Sequence, residues 1–458
     1  MNNLSPLSKE EVQATYQRKR NFFDAGKTRD YNFRIAQLEA LKNGIKKYEN
    51  EIFEALHADM RKPRFEATIS EINIIYDEIE HTIRHLQEWM KTEHAETPAF
   101  LQLSYSAKSE IHYEPLGVVL VIGPWNYPFQ LLIAPLIGAI AAGNCALLKP
   151  SNETKHTAHI TGKIISEIFD EEYISVVYGP GSSVGPLIIE NNRFDHIFFT
   201  GSPGVGKLIA GMAAKHLTPV TLELGGKSPA IVDKHANLEV TAKRLTWAKF
   251  FNAGQTCVCP DYVLVHEDVK DALIAEMKKN ITEFFGENPQ KSPDFARIVN
   301  DKRFNALEKF LTGNIVVGGE KDSNDCYIAP TIIDDVSMSD VIMEEEIFGP
   351  IMPVLTWSEY DEALAMIRQN RYPLACYVFS ESNETIDFFN QNVEYGGSCI
   401  NHALLHLTNP DLPFGGVGFS GMGRYHGRDS FLTMSHSKAI MKFSTDTDPS
   451  ALYAPYPQ

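Results

Sequence analysis

"LGVVLVIGPWNYPFQLLIAPLIGAIAAGNCALL", residues 116–148, carries no charged side chain and is long enough to cross a bilayer as a helix. Pro124, Asn126, Pro128, Pro135 and the Gly143-Asn144 pair divide it into pieces shorter than a span. We read it as strand, loop, helix and strand, all inside an α/β core rather than a membrane.

The flanking sequence extends that pattern. After "GVVLVI" (117–122), short β-branched runs recur at "CALLKP" (145–150), "SVVY" (175–178) and "HIFFTG" (196–201), separated by helix-length segments. This alternation predicts parallel strands joined by helical crossovers. A second α/β region begins near Gly225, with strand-like "SPAIV", "YVLVH" and "PVLTW". Upstream, Ile35, Leu38, Leu41, Ile45, Tyr48, Ile52 and Leu56 fall at steps of three and four between Phe33 and Met60, and a second helical pattern covers Ile72–Met90. "FLQLSYSAKSEIHYEP" (100–115) alternates apolar and polar residues and reads as exposed extended chain; "SHSKAIMKF" (435–443) reads as a strand. There is no internal repeat.

The 458 residues exceed one growing core and imply two or three packed units. A formal charge of −17 argues against a nucleic-acid partner. Six cysteines without framework spacing suggest a reducing, cytoplasmic setting. Neither "MNNLSPLSKEEVQATYQRKR" nor "ALYAPYPQ" reads as a targeting or lipidation signal.

Chemistry concentrates in "FNAGQTCVCPDY" (251–262), where Cys257 and Cys259 lie one residue apart. A zinc reading lacks a second cysteine pair, and His81 and His85, four apart on a helix, lack a third ligand and read as a solvated face. No metal is expected. A redox couple would prefer a two-residue spacer. An inert core thiol suits Cys145 in "NCALL" better than Cys257 beside Gly254, Gln255 and Thr256. A nucleophile needs a base and an oxyanion donor. Glu223, ending an apolar strand before Gly225-Gly226 in "TLELGGKSP", and Asn126, in "GPWNYP", are candidates, although alone they read equally as an ion-pair partner and a turn residue. "TGSPGVGK" places Gly201, Gly204 and Gly206 between strand and helix, without the G-x-G-x-x-G spacing but where a pyrophosphate can sit.

In order, "GPWNYP", "LLKPS", "FTGSPGVGK", "LELGGKSP", "GQTC", "EEEIFGP" and "LPFGGVGFSGMGRYHG" resemble the NAD(P)-dependent aldehyde dehydrogenase superfamily across essentially the whole chain, most closely its class 3 branch. The resemblance implies Cys257 as nucleophile, Asn126 as oxyanion donor and Glu223 as hydrolytic base. It implies Lys149 and Glu346 at the cofactor ribose hydroxyls, Phe348 near the nicotinamide ribose, and Gly201 and Ser202 at the pyrophosphate turn, with Trp125, Pro150 and Gly206 completing the cofactor-binding set. The expected activity is oxidation of medium-chain aliphatic or aromatic aldehydes with NAD or NADP. The rivals are a CoA-acylating relative, against which Glu223 argues, and a silent member of the fold, against which the retained trio argues. Asn152, where an acidic residue is common, would not repel a 2′-phosphate. Cys259 is expected to be structural.

The implied fold is a doubly wound Rossmann-like cofactor domain (1–95 and 113–224), an α/β catalytic domain (225–424), and bridging segments (96–112 and 432–458) that join a homodimer. The membrane-bound forms of the branch end in a hydrophobic tail that "ALYAPYPQ" does not resemble, so no membrane anchor is expected.

Overall fold

The computed structural model describes residues 8–449 and 452–456. Along the uncharged run and one residue past it, Val118–Ile122 and Cys145–Lys149 are completely buried parallel strands in register, Ile122 opposite Lys149, and Gln130–Ala142 is a helix buried on every side. Pro135 lies inside this helix and does not end it. Gly143 does, in the left-handed conformation at φ +90°, against the Arg34 guanidinium and the Thr28 carbonyl. Among the described residues, no helix is long and apolar enough to cross a membrane.

Those two strands sit in a six-stranded sheet. Its order is Gly421–Met422, Val220–Glu223, His196–Thr200, Val118–Ile122, Cys145–Lys149, Ile174–Val176. All are parallel except Gly421–Met422, which closes the edge antiparallel with Gly421 opposite Glu223. The winding direction reverses between Val118–Ile122 and His196–Thr200, a switch point where ligands bind beyond the strand C-termini.

A seven-stranded sheet follows, ordered Asn314–Val317, Thr331–Asp334, Ile351–Trp357, Tyr262–His266, Pro229–Val232, Ala375–Phe379, Gly397–Ile400 and parallel but for the first. Its central strands are wholly buried, as their unbroken apolar runs predict.

Glu93–Ala95, Lys108–Pro115 and Ser435–Lys442 form a separate antiparallel sheet. It starts before residue 96 and runs past 112, while Gly421–Met422, expected with the catalytic region, belongs to the first sheet. Residues 1–7 of the expected cofactor domain, and 450–451 and 457–458 of the C-terminal bridging segment, lie outside the described residues.

Two expectations are corrected. The extended reading of 100–115 holds only from Lys108; Ala99–Tyr105 is a helix, begun by Pro98 at φ −51° and favoured by Ala99, Leu101, Gln102 and Leu103. His81 is not on a solvated face. It is buried, its ring 4.3 Å from that of His85 and 5.7 Å from that of Trp89.

Candidate active site

The C-terminal edge of the six-stranded sheet carries Trp125 and Asn126 after Ile122, Lys149 and Pro150, Gly201 and Ser202 after Thr200, and Glu223 itself. Facing it is the N-terminal edge of the seven-stranded sheet, with Cys257 ahead of Tyr262–His266 and Glu346 and Phe348 ahead of Ile351–Trp357. Two sheets wound on one pattern therefore meet at a seam of loops.

Cys257 is reached through a strained turn. Asn252, Ala253 and Gly254 take φ of 53°, 52° and 74° in succession, a left-handed run that two non-glycine residues adopt only when held. A Cβ on Gly254 would lie 2.2 Å from the Gly349 carbonyl oxygen. Gln255 ties the turn down: its amide donates to the carbonyls of Asn252 and Arg297, both at 3.0 Å, and accepts from the Val299 N–H at 3.1 Å.

The Asn126 Nδ2 donates to the Gln255 carbonyl at 3.1 Å, two residues before the thiol, and the Asn252 amide spans the Asn126 carbonyl (3.0 Å) and the same Gln255 carbonyl (3.2 Å). One N–H of the Asn126 amide is thus committed and the other is free to donate. Tyr127 Oη and Thr256 Oγ1, 2.5 Å apart, join the same two loops.

Glu223 is buried, and neither carboxylate oxygen has a partner. Burial pushes its pKa well above the ordinary carboxylate range. The half-buried Cys257 thiol is pushed far up too, first by desolvation, then by the Glu346 and Glu223 charges, with the Cys257 and Val258 N–H groups opposing. Each of the two carboxylates, when ionised, thus disfavours the Cys257 thiolate. Cys259 points elsewhere: it is buried, with its sulfur 3.5–3.7 Å from the carbonyls of Ala248, Lys249 and Pro260.

Glu346 lies on the Gly-Gly pair, its Oε2 1.9 Å from where a Cβ on Gly225 would stand. Desolvation and the Asp261 charge raise its pKa to about 8, against the Gly226 N–H, Lys227 and Arg303. Phe348, at φ 53°, packs edge-on against Trp125 with ring centroids 5.2 Å apart.

Lys149 ends and Pro150 follows the strand beside Val118–Ile122, while Gly201 and Ser202 follow the strand that lies between those of Asn126 and Glu223, with the Gly201 N–H donating to the Glu223 carbonyl at 3.0 Å. Lys149 is buried with one contact, to the Pro150 carbonyl at 3.2 Å, and desolvation lowers its pKa. Ser202 caps the helix Pro203–Ala214. Gly206 lets Leu224 come within 2.7 Å of its absent Cβ. A helix N-terminus, a buried ammonium with spare donors and a carboxylate with a spare oxygen fit a dinucleotide's pyrophosphate and ribose hydroxyls.

Several residues that position the site carry no sequence signal of their own. Lys227 is buried and donates to Asp261 Oδ2 (2.6 Å) and to the carbonyls of Ile342 (2.9 Å) and Glu345 (2.8 Å), while Asp261 Oδ1 accepts from the Ile347 N–H at 3.0 Å. This pair fixes the loop that holds Glu346 and Phe348. Elsewhere, Ile74, Glu78, Gln130, Ala134, Leu407 and His426 line a small cavity. Burial raises the Glu78 pKa to about 7.

The model of the aldehyde dehydrogenase family matches residues 2–440. The chain belongs to the aldehyde dehydrogenase family. This aldehyde dehydrogenase is 48% identical over 438 residues to the 4,4'-diaponeurosporen-aldehyde dehydrogenase of Staphylococcus aureus (95% of this chain, 94% of that one). It is 44% identical to human aldehyde dehydrogenase family 3 member B1 (93% and 90%), in keeping with the class 3 likeness. A solved structure described as the substrate-bound state of Staphylococcus aureus AldH superposes with a TM-score of 0.93 at 46% identity, covering 98% of this chain and 96% of that one. A Mycobacterium tuberculosis aldehyde dehydrogenase complexed with NAD+ matches at 0.85 and 26% identity (94% and 90%). The enzyme is an oxidoreductase that oxidises aldehydes with NAD or NADP.

Proposed function

We propose that this aldehyde dehydrogenase works through a thioester on Cys257, with Asn126 as oxyanion donor and Glu223 as hydrolytic base. The observation that carries this reading is Glu223: a buried carboxylate with both oxygens unpartnered, acting on the Cys257 sulfur, is costly unless a proton must be handled there. The Cys257 sulfur, as thiolate, bonds to the carbonyl carbon while the C=O electron pair moves onto oxygen. That oxyanion is met by the free Asn126 N–H and the Cys257 backbone N–H, donors worth about 3 kcal/mol each on deletion. When bound, NAD or NADP supplies the acceptor for the hydrogen and electron pair leaving the substrate carbon. Glu223 then takes a proton from water as its oxygen bonds to the thioester carbon; the C–S bond breaks, returning the thiolate and releasing the acid. Burial raises the Glu223 pKa, so that once its own proton has left, the carboxylate is a stronger base toward water than an exposed one.

For the cofactor, Lys149 and Glu346 hold ribose hydroxyls, Gly201, Ser202 and Gly206 seat the pyrophosphate, and Trp125, Pro150 and Phe348 pack around it. Asn152 is exposed and neutral, and its amide meets only Glu153 at 3.0 Å, which supports use of NADP beside NAD. The class 3 likeness supports medium-chain aliphatic or aromatic aldehydes. The homodimer is supported by exposed apolar side chains on the segments flanking the three-stranded sheet: Phe100 and Leu103 on the helix Ala99–Tyr105, Phe443 just after the last strand, and Tyr453 and Tyr456 beyond it are all more than half exposed. The cysteine usage supports a cytoplasmic location.

The test is reduced-cofactor absorbance with NAD or NADP across aliphatic and aromatic aldehydes of graded length, without CoA. Carboxylic acid formed in step with reduced cofactor is expected. A strict requirement for CoA would overturn the hydrolytic reading, and silence with every aldehyde would point to an inert member of the fold.

A further inference from the structure

Residues 62–71 carry three buried ionisable side chains aimed at the loops around Cys257. Lys62 and Glu71 are paired at 2.6 Å with no exposure at all. The second Glu71 oxygen accepts from the N–H groups of Phe129 (3.2 Å) and Gln130 (2.8 Å), at the start of the helix Gln130–Ala142. Lys62 Nζ also reaches the Asn126 carbonyl at 3.4 Å and lies 4.0 Å over the Tyr127 ring. Glu66 accepts from the Asn252 N–H at 3.0 Å, at the first left-handed residue of the turn into Cys257.

The local backbone explains why one segment reaches both loops. Arg64–Ala67 is α-helical, Thr68–Ile72 is a single π turn closed by the Asn73 N–H on the Thr68 carbonyl, and the α-helix resumes at Asn73. In an uninterrupted α-helix, residues five apart are separated by about 140° around the axis. The wider turn brings Glu66 and Glu71 toward the same side, and such turns concentrate at functional sites. A buried ion pair is a weak source of stability, so its presence here calls for another role.

We propose that Lys62, Glu66 and Glu71 are positioning residues for the oxyanion site, holding the Asn126 loop and the Asn252–Gly254 turn in register so that the Asn126 amide and the Cys257 N–H converge on one oxygen. The proposal rests on Asn126 as oxyanion donor and Cys257 as nucleophile. Oxyanion donors act only when fixed beforehand at the place where charge develops, and a displacement of about 1 Å costs roughly a hundredfold in rate.

The test is a double-mutant cycle on the full-length enzyme with Lys62→Met and Asn126→Ala, read as the rate of the first-turnover burst of reduced cofactor. Alkylation of Cys257 by iodoacetamide, which needs no oxyanion donor, is measured beside it. Each single variant is expected to slow the burst about a hundredfold. The double variant is expected to be no more than about threefold slower than Asn126→Ala, because a donor already misplaced has little left to lose. Alkylation and cofactor KM are expected to stay within about twofold of wild type, as no group they use is altered. A Lys62→Met burst at the wild-type rate, losses that multiply in the double variant, or alkylation falling together with the burst would each overturn the proposal. An unslowed Asn126→Ala would instead locate the failure in the oxyanion assignment. Should Lys62→Met not fold, Glu71→Gln takes its place with the same expected coupling, since it keeps an acceptor for the Gln130 N–H.

Discussion

Replacing Glu223 by Gln separates what this carboxylate does for catalysis from what it does to the fold. Its two oxygens are buried without partners and its pKa is raised by desolvation. The folded protein therefore retains a proton that the unfolded chain releases near the ordinary carboxylate value. Stability contributed at this position is complete below that value and falls as pH rises toward the raised folded pKa. In that window the loss is about 1.4 kcal/mol per pH unit. The glutamine variant has no proton to lose, and the other buried acids cancel in the comparison. At roughly 1 °C per kcal/mol for a chain of 458 residues, its melting temperature should gain ~1–2 °C on wild type for each pH unit above the ordinary value. Catalysis should move the other way. Acylation uses Cys257 and Asn126, so the first-turnover burst should survive, while steady turnover should fall by a factor of about 10²–10⁴, the usual contribution of a general base. Calorimetry from pH 5 to 8 and stopped-flow absorbance provide the two readouts. A steady rate equal to wild type would remove Glu223 from hydrolysis, and a melting difference that stays flat with pH would refute its unpartnered burial.

Asn152→Glu should raise KM for NADP relative to NAD by about tenfold, by setting a carboxylate against the 2′-phosphate, with melting unchanged because the site is exposed; a constant KM ratio would contradict the placement. Lys227→Met leaves Asp261 buried without its cation and should cost about 3–5 kcal/mol in denaturant unfolding. It should also raise cofactor KM, because the Glu346 loop loses its anchor. In the enzyme without cofactor, the Cys257 thiol is protonated at neutrality, so its alkylation followed by peptide mass spectrometry should accelerate about tenfold per pH unit from 7 to 9. A plateau below pH 8 would contradict the upward push that burial, with the two carboxylates, exerts on the thiol.

The fold was legible wherever local chemistry and tertiary fate agree. The prolines, Asn126 and Gly143 punctuate the uncharged run because each disfavours a continuous membrane helix, although Pro135, held by close packing, does not break the helix around it. Ala99–Tyr105 was obscured because Leu101, Leu103 and Tyr105 fall at steps of two and mimic the alternation of a strand. Cys257, Glu223 and Asn126 drew notice as types in suggestive settings, and family resemblance gave them roles. The supports of the site were invisible. Lys62, Glu66 and Glu71 look like ordinary helix-surface charges, and their partners lie 9 to 186 residues away, so only the fold brings them together.

The two-residue strand Gly421–Met422 has a consequence for anyone dividing this protein. It crosses back from the far end of the chain to flank Glu223, with the Ser420 carbonyl accepting from the Leu224 N–H at 3.0 Å. A nucleotide-binding fragment ending at the Gly-Gly pair would leave that flank bare and prone to self-association. Swapping halves between relatives would have to carry residues 420–422 along with the first half, making a discontinuous graft the smallest transferable module.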